Sequence, residues 1–286
     1  MNIIMKGSEV VAAMKEKMQS QTEALKQRGI MPVLAIVRVG AKPDDLAYER
    51  GAKKRMESVG IECRVFEFAQ TIEQEKFEKE FEGINNNPEI HGILLFRPLP
   101  KHLDENALKG IINPLKDVDC MSPVNIAKVF SGDESGFAPC TPEAVIETLD
   151  HYGISLKGKR TVVVGRSMVV GKPLSMLLLK RDATVTVCHT KTENIEKTCR
   201  GAEILIAAAG KAKMITAGYV CKGAVVIDVG INVDNEGKLC GDVDYEDVLP
   251  SASYITPVPG GVGTVTSSVL AQHVIRAAGY LNGIRS

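Results

Sequence analysis

The sequence carries no surplus of either charge: 35 lysines and arginines balance 35 aspartates and glutamates. That balance removes the electrostatic case for a nucleic-acid or acidic-membrane partner. No apolar run nears the roughly 20 residues needed to span a bilayer. The first stretch, residues 1–20, mixes charges with apolar side chains, unlike a secretory signal, so a cytoplasmic protein is expected. The seven cysteines lie far apart, are odd in number and form no C-x-x-C. They read as reduced thiols, which excludes a disulfide framework or a cysteine zinc site. The five histidines are scattered without ligand spacing, so no metal is expected.

What the chain does have is 286 residues, 44% of them apolar, enough for two domains or one large one. Its organising stretch runs from Arg160 to Thr192. Thr161 to Val164 is a β-branched run that reads as a buried strand. Gly165 ends it, and Gly171, Lys172 and Pro173 open an apolar helix, with proline suited to a first turn. Thr184 to Cys188 is a second strand. Such a βαβ unit aims the amides of a helix N-terminus at an anion, usually a phosphate. Ser167 stands where the middle glycine of G-x-G-x-x-G would be. The glycine pattern alone therefore fits a nucleotide turn or a purely structural unit.

Strands and helices alternate elsewhere too. Val10, Val11, Met14 and Met18 predict a helix over 8–28, with Ser8 as N-cap and Gly29 as stop. Strands are expected at 33–39, 61–68 and 93–96. A helix capped by Asp44 or Asp45 should run to Val59, and a charged helix from Thr71 to Ile84 should carry Phe77 and Phe81 on one face. Asp104 should open a short helix. Residues 114–141, with Pro114, Pro123 and Pro139, read as irregular, after which Thr141 caps a helix to Tyr152. Strands follow at 203–207 and 224–228. Residues 255–265 are too rich in proline and glycine for a regular element, and an amphipathic helix spans 264–281. The alternation predicts an α/β fold with a mostly parallel sheet.

Separated stretches then converge in order: Tyr48, Pro98-Leu99-Pro100, Lys116-Asp117-Val118-Asp119, Pro139-Cys140-Thr141-Pro142, Gly165-Arg166-Ser167, Val170-Gly171-Lys172-Pro173, Gly241-Asp242-Val243 and Pro257-Val258-Pro259-Gly260-Gly261-Val262-Gly263. As an ordered set they resemble the methylenetetrahydrofolate dehydrogenase/cyclohydrolase family over almost the whole chain. The resemblance implies two α/β domains flanking a cleft, the second a Rossmann-like parallel sheet. A folate domain would take 1–140, joined by the C-terminal helix 266–286, and an NAD(P) domain 141–265. It also implies tetrahydrofolate derivatives as substrate and a homodimer.

Among the residues, Asp119 would accept the adjacent amino and ring N–H groups of a pterin edge, and Tyr48 would stack on the ring. The resemblance gives both catalytic and substrate-binding roles, and adds Pro98, Leu99, Gly260 and Gly261 on the substrate side. The loop 257–263 would bring backbone close to the nicotinamide. Cofactor positions are Gly165, Arg166, Ser167, Gly171, Thr190, Lys191 and Ile231. The second strand of the βαβ unit ends Cys188-His189-Thr190-Lys191-Thr192 without the acid that usually reads an NAD ribose. Arg166 and Lys191 suit a 2′-phosphate instead, so NADP is expected, with NAD left open.

Two positions depart from the family. Its lysine four residues after the tyrosine is Ala52 here, and Lys53 and Lys54 point away from that helix face. Its Val-Gln-Leu-Pro-Leu-Pro is Leu95-Phe96-Arg97-Pro98-Leu99-Pro100, so Phe96 replaces the glutamine. In the family both residues serve the chemistry at the one-carbon bridge. A smaller departure is Gly263-Thr264-Val265-Thr266, where the family often has Gly-Pro-Met-Thr. The expectation is a dehydrogenase with weak or absent cyclohydrolase. Two alternatives stand beside it: a bifunctional enzyme in which Lys53, Lys54 or Arg97 takes over, and a silent folate- or nucleotide-binding subunit.

Overall fold

The computed structural model describes residues 2–234 and 236–284. The chain runs β1 (Ile3–Ile4), α1 (Gly7–Lys26), β2 (Val33–Val39), α2 (Pro43–Ser58), β3 (Glu62–Phe68), α3 (Gln74–Asn86), β4 (Gly92–Leu95), α4 (Glu105–Ile111) and α5 (Pro123–Ser131). It continues with α6 (Cys140–His151), β5 (Arg160–Val164), α7 (Gly171–Lys180), β6 (Thr184–Cys188), α8 (Ile195–Arg200), β7 (Ile204–Ala207) and β8 (Ala224–Asp228). The last elements are β9 (Asn232–Val233), β10 (Leu239–Cys240), α9 (Tyr245–Val248), β11 (Ala252–Ile255) and α10 (Val262–Leu281). The elements form two compact units whose three borders fall inside α1, at the start of α6 and near the start of α10.

One unit takes Met14–Cys140 and the described residues from Ser267 onward. Its sheet is three-stranded and parallel, in the order β3-β2-β4, with Leu34 opposite both Cys63 and Gly92. The central strand β2 is buried along its whole length, as its unbroken Val-Leu-Ala-Ile-Val run requires. Arg38 follows that run, is buried with it, and is matched by two carboxylates, Glu49 and Glu67, each at 2.8 Å. Phe77 and Phe81, one turn apart on α3, are fully buried, and Phe77 meets Phe68 edge-on with ring centroids 5.2 Å apart.

The other unit takes the described residues up to Ala13 and Thr141–Thr266. Its six-stranded sheet has the order β1-β11-β8-β7-β5-β6, and every pairing in it is parallel. Counted from β5, the order is 2-1-3-4-5, one of the two common doubly wound arrangements. Thr184 and Thr186 face solvent on the edge strand β6, whereas β7 and β8 are wholly buried. Short strands β9 and β10 make a separate antiparallel pair.

Several local expectations need correction. The first residues pair with β11 (Ile3 opposite Tyr254), which places them in the second unit rather than with residues 14–140. Neither two-residue β1 nor β11 has enough length to register as periodicity. The stretch 114–141 is not irregular throughout, because it contains α5. Ser122 caps that helix by accepting the Val124 N–H, Pro123 takes the first position, and Gly132 ends it at φ 75°. The N-cap of α2 is Lys42, with Pro43 in the first turn; Asp44 and Asp45 sit inside that turn and favour it through the helix dipole. Ser8 and Thr141 likewise lie within their helices rather than capping them.

Phe77 closes the core of the first unit, so Phe77→Ala should destabilise the protein by about 3–5 kcal/mol. Urea unfolding followed by circular dichroism measures this. A loss below about 1 kcal/mol would contradict the packing described.

Candidate functional site

Within the first unit, α2 and the ends of β4 bring a small group of side chains together. Tyr48 on α2 keeps 42% of its surface exposed and lies beside Phe96, with ring centroids 5.5 Å apart and planes tilted by 48°. Ala52, one turn further along α2, is 1% exposed, and Met56 beyond it is fully buried. Lys53 and Lys54 are exposed on the other side of the helix. Phe96 follows directly on β4 and is held there by its N–H, which donates to Val37 O at 2.9 Å. The positions where the family carries a lysine and a glutamine are therefore both buried and both apolar.

Arg97 comes next and turns toward charge. Its Nη1 is 3.4 Å from Glu105 Oε1, and its Nη2 stands 3.7 Å from Asp119 Oδ2. Glu105 is in turn bridged by Lys109 at 3.1 Å. Pro98 is exposed, its carbonyl accepting from Lys42 Nζ at 3.3 Å, and Leu99 packs partly buried on the core of the unit.

The Lys-Asp-Val-Asp motif divides its labour. Lys116 is buried and donates to Asn85 O and Asn87 O, each at 2.7 Å. Asp117 is buried and accepts the Met121 and Ser122 N–H groups at 2.8 Å and the Asn125 amide at 2.9 Å. Burial raises its pKa against the pull of those donors. Asp119 alone is half-exposed; its Oδ1 accepts the Cys140 N–H at 3.1 Å, and Oδ2 faces Arg97. A carboxylate oxygen has room for a further donor, so Asp119 can still receive a ligand N–H. Although the Tyr48 ring is open to solvent, desolvation of its phenol, with Cys140 and Asp119 nearby, pushes its pKa up, so it remains a protonated donor.

Within the second unit the cofactor candidates all follow the carboxyl ends of parallel strands. Gly165 follows β5 at φ 142°, and a Cβ there would lie 2.2 Å from Ala208 O. A Cβ on Gly171, at the start of α7, would lie 2.1 Å from Gly165 O. Both glycines are thus required by the close return of the chain. Between them Arg166 and Ser167 are exposed, and the Ser167 hydroxyl accepts the Val170 N–H at 3.0 Å. Thr190 and Lys191 are exposed just past β6, whose Cys188 is opposite Val164 of β5. Arg166 and Lys191 therefore extend from neighbouring strands. Such an open turn ahead of a helix, flanked by two cations, fits a dinucleotide carrying phosphates.

Further along the same sheet edge, Ile231 is 69% exposed, so it is not part of the core. It lines a cavity of about 190 Å³ together with Gly260, Gly261 and the rest of the loop 257–264. The two glycines expected on the substrate side thus share a cavity with Ile231.

Two aspartates carry this edge: Asp228, which was not singled out from the sequence, and Asp242, which entered there only within Gly241-Asp242-Val243 and with no role of its own. Asp242 accepts N–H groups from Ala209 (2.6 Å), Gly210 (3.0 Å) and Lys211 (2.8 Å), and the Asn232 amide at 2.9 Å. Asp228 accepts the N–H groups of Gly230 (2.9 Å), Asp242 (3.0 Å) and Val243 (2.9 Å). Together they fix the loops after β7 and β8, including the one that presents Ile231. The available signal was an acid closing the apolar run Val225-Val226-Ile227.

Residues 5–119 match the tetrahydrofolate dehydrogenase/cyclohydrolase catalytic domain, and residues 139–281 match the NAD(P)-binding domain of the same family. The chain is 54% identical over 282 residues to the bifunctional protein FolD of Clostridium kluyveri, covering 99% of both chains. It is 55% identical over 279 residues to that of Clostridioides difficile, covering 98% of this chain and 97% of the relative. Among solved structures, the bifunctional FolD of Campylobacter jejuni is similar with a TM-score of 0.95 and 38% identity, over 98% of this chain and 99% of that one. The FolD of Trypanosoma brucei complexed with NADP cofactor and inhibitor has a TM-score of 0.91 at 34% identity, over 98% of each chain.

The buried Asp228 yields a pH test. Burial pushes its pKa up to about 6, Asp242 adds to the rise, and the backbone donors oppose it. The unfolded value is about 3.9. A raised folded pKa contributes stability below the unfolded value and loses it as pH rises through about 6. In urea unfolding the wild type should therefore lose stability relative to Asp228→Asn as pH rises from about 4 to about 6. Parallel profiles for the two proteins would show that Asp228 does not titrate in this way.

Proposed function

The chain belongs to the tetrahydrofolate dehydrogenase/cyclohydrolase family, and from that premise we propose that it oxidises 5,10-methylenetetrahydrofolate to the methenyl compound with NADP and hydrolyses the product slowly. The observation that carries the second half is the apolar pair: Ala52 buried one turn from Tyr48, and Phe96 packed against the Tyr48 ring.

Tyr48 would stack on the pterin and Asp119 would accept its amino and ring N–H groups, which fixes the ring's orientation. Gly165, Arg166, Ser167, Gly171, Thr190 and Lys191 would hold the phosphate end of the nucleotide, with Arg166 and Lys191 meeting a 2′-phosphate. Ile231, Gly260 and Gly261 would lie at the nicotinamide end, and Pro98 and Leu99 beside the substrate. When bound, the nucleotide supplies the hydride acceptor. The hydride leaves a carbon bridging two nitrogens, and the resulting cation is delocalised over both. No side chain has to take a proton in that step, so orientation is most of the protein's task.

Hydrolysis makes a different demand. Water must attack the cation and protons must move, which calls for a polar or ionisable group at the carbon. Neither Ala52 nor Phe96 supplies one, and Lys53 and Lys54 face away. The relatives named bifunctional support a second reading, in which both reactions persist. Of the substitutes weighed for it, Arg97 is the one that lies close to Asp119. The homodimer and the cytoplasmic setting expected from the sequence remain part of this proposal.

The test is absorbance of the methenyl product in a turnover with purified protein. The methenyl compound should accumulate, because a missing acid–base group costs about a hundredfold to ten-thousandfold in rate. Ala52→Lys combined with Phe96→Gln should raise hydrolysis, whereas Ala52→Lys alone leaves Phe96 to desolvate the ammonium. Hydrolysis in the unmodified protein as fast as oxidation would overturn the reading.

For the cofactor, Arg166→Ala should weaken NADP about tenfold or more beyond its effect on NAD, since a charge-assisted bond to the 2′-phosphate is lost. Equal loss for both nucleotides would remove Arg166 from that role.

A further inference from the structure

Arg97 occupies the place of a leucine in the family's proline turn, and its surroundings give it more than a structural role. Its side chain is 24% exposed and that of Asp119 32%, with Nη2 and Oδ2 3.7 Å apart. That distance is an ion pair but too long for a hydrogen bond. A guanidinium has five N–H donors. Among the described residues Arg97 makes one hydrogen bond, to Glu105. Glu105 is also held by Lys109, so the arginine is tethered through Nη1 while Nη2 is the nitrogen near Asp119. The result is an acceptor and a donor side by side, both partly exposed, with Arg97 directly after Phe96, whose ring meets that of Tyr48.

A pterin presents along one edge an amino donor, a ring N–H donor and a carbonyl acceptor, in that order. A carboxylate satisfies the two donors and leaves the carbonyl. We propose that Arg97 is a specificity-determining residue that donates an N–H to this carbonyl, so that Asp119 and Arg97 together read the whole edge. The inference rests on the folate reading above and adds to it a recognition element that the leucine of the family pattern cannot provide. It also assigns the arginine a ligand contact that does not require it to take part in hydrolysis.

The experiment compares binding of tetrahydrofolate with binding of its 4-amino-4-deoxy analogue, in which a donor replaces the carbonyl, using the full chain by calorimetry. Part of any preference for the 4-oxo compound belongs to Asp119, because the analogue also lacks the ring N–H. The share of Arg97 is read from the change on mutation. Arg97→Leu should reduce the preference about tenfold to a hundredfold, the size of a hydrogen bond to a charged group. Arg97→Lys, which keeps a donor and the charge, should retain most of it. Leucine is the family's own residue at this position, and circular dichroism checks that the variant is folded. A folded Arg97→Leu protein that binds both compounds with the wild-type preference would overturn the proposal and leave the folate reading intact. Failure of the wild type to bind either compound would overturn the folate reading itself, and this inference with it.

Discussion

Every strand pairing in the two larger sheets is parallel, and that constraint organises the rest of the molecule. Parallel strands cannot be joined by tight hairpins, so each must be followed by a crossover that leaves from its carboxyl end. The loops at those ends collect along one edge of each sheet, which is where open α/β sheets bind their ligands. In the first unit this edge carries Tyr48, on the helix after β2, and Phe96 and Arg97, directly after β4. In the second it carries the turn 165–171 after β5, Lys191 after β6, Ile231 after β8 and the loop 257–263 after β11.

Ending many strands at one edge leaves many backbone N–H groups without ladder partners, and buried ones must be satisfied. Aspartates do this here. Asp117 takes the amides of the turn into α5, Asp228 those around Gly230, and Asp242 those after β7. Each is buried, and its acceptor sites face protein donors. Asp119 is less buried and less occupied: one backbone N–H, one neighbouring guanidinium, and solvent. The same residue type two positions apart thus serves the fold in one case and remains open to a ligand in the other. What separates them is burial, which the sequence motif does not record.

That distinction explains how much could be read before the structure. The strands β2, β4, β5, β7 and β8 are legible because their apolar runs are continuous, and α3 because Phe77 and Phe81 repeat at helical spacing. The helix α5 was hidden by a proline that looked like a breaker and is in fact a first-turn residue. The pairing of β1 with β11 joins residues 3–4 to residues 254–255, and no local pattern reports such a contact. The glycine turn was visible, but the need for glycine at 165 and 171 comes from Ala208 and from the turn's own backbone. The replacements at Ala52 and Phe96 stood out only against the family pattern. That both positions are buried, and that Arg97 lies beside Asp119, required the fold.

The two replacements belong together for a physical reason. A lysine at position 52 would have to keep its ammonium in a place where the present side chain is 1% exposed. Burying a charge without polar neighbours is costly, and the group responds by losing its proton or by unseating its surroundings. A glutamine at position 96 would offer such a neighbour; a phenylalanine does not. Once Phe96 packs against Tyr48, an alanine at 52 is the compatible partner, and the wall so formed is apolar. On the function proposed above, an apolar wall would suit a step in which a hydride leaves and the charge that remains is spread over two nitrogens, because that step depends mostly on position. It would not suit attack by water. On the reading proposed for this site, the balance between the two reactions would be set less by the polar pair Asp119 and Arg97 at the pterin edge than by the loss of polarity at the two buried positions beside Tyr48.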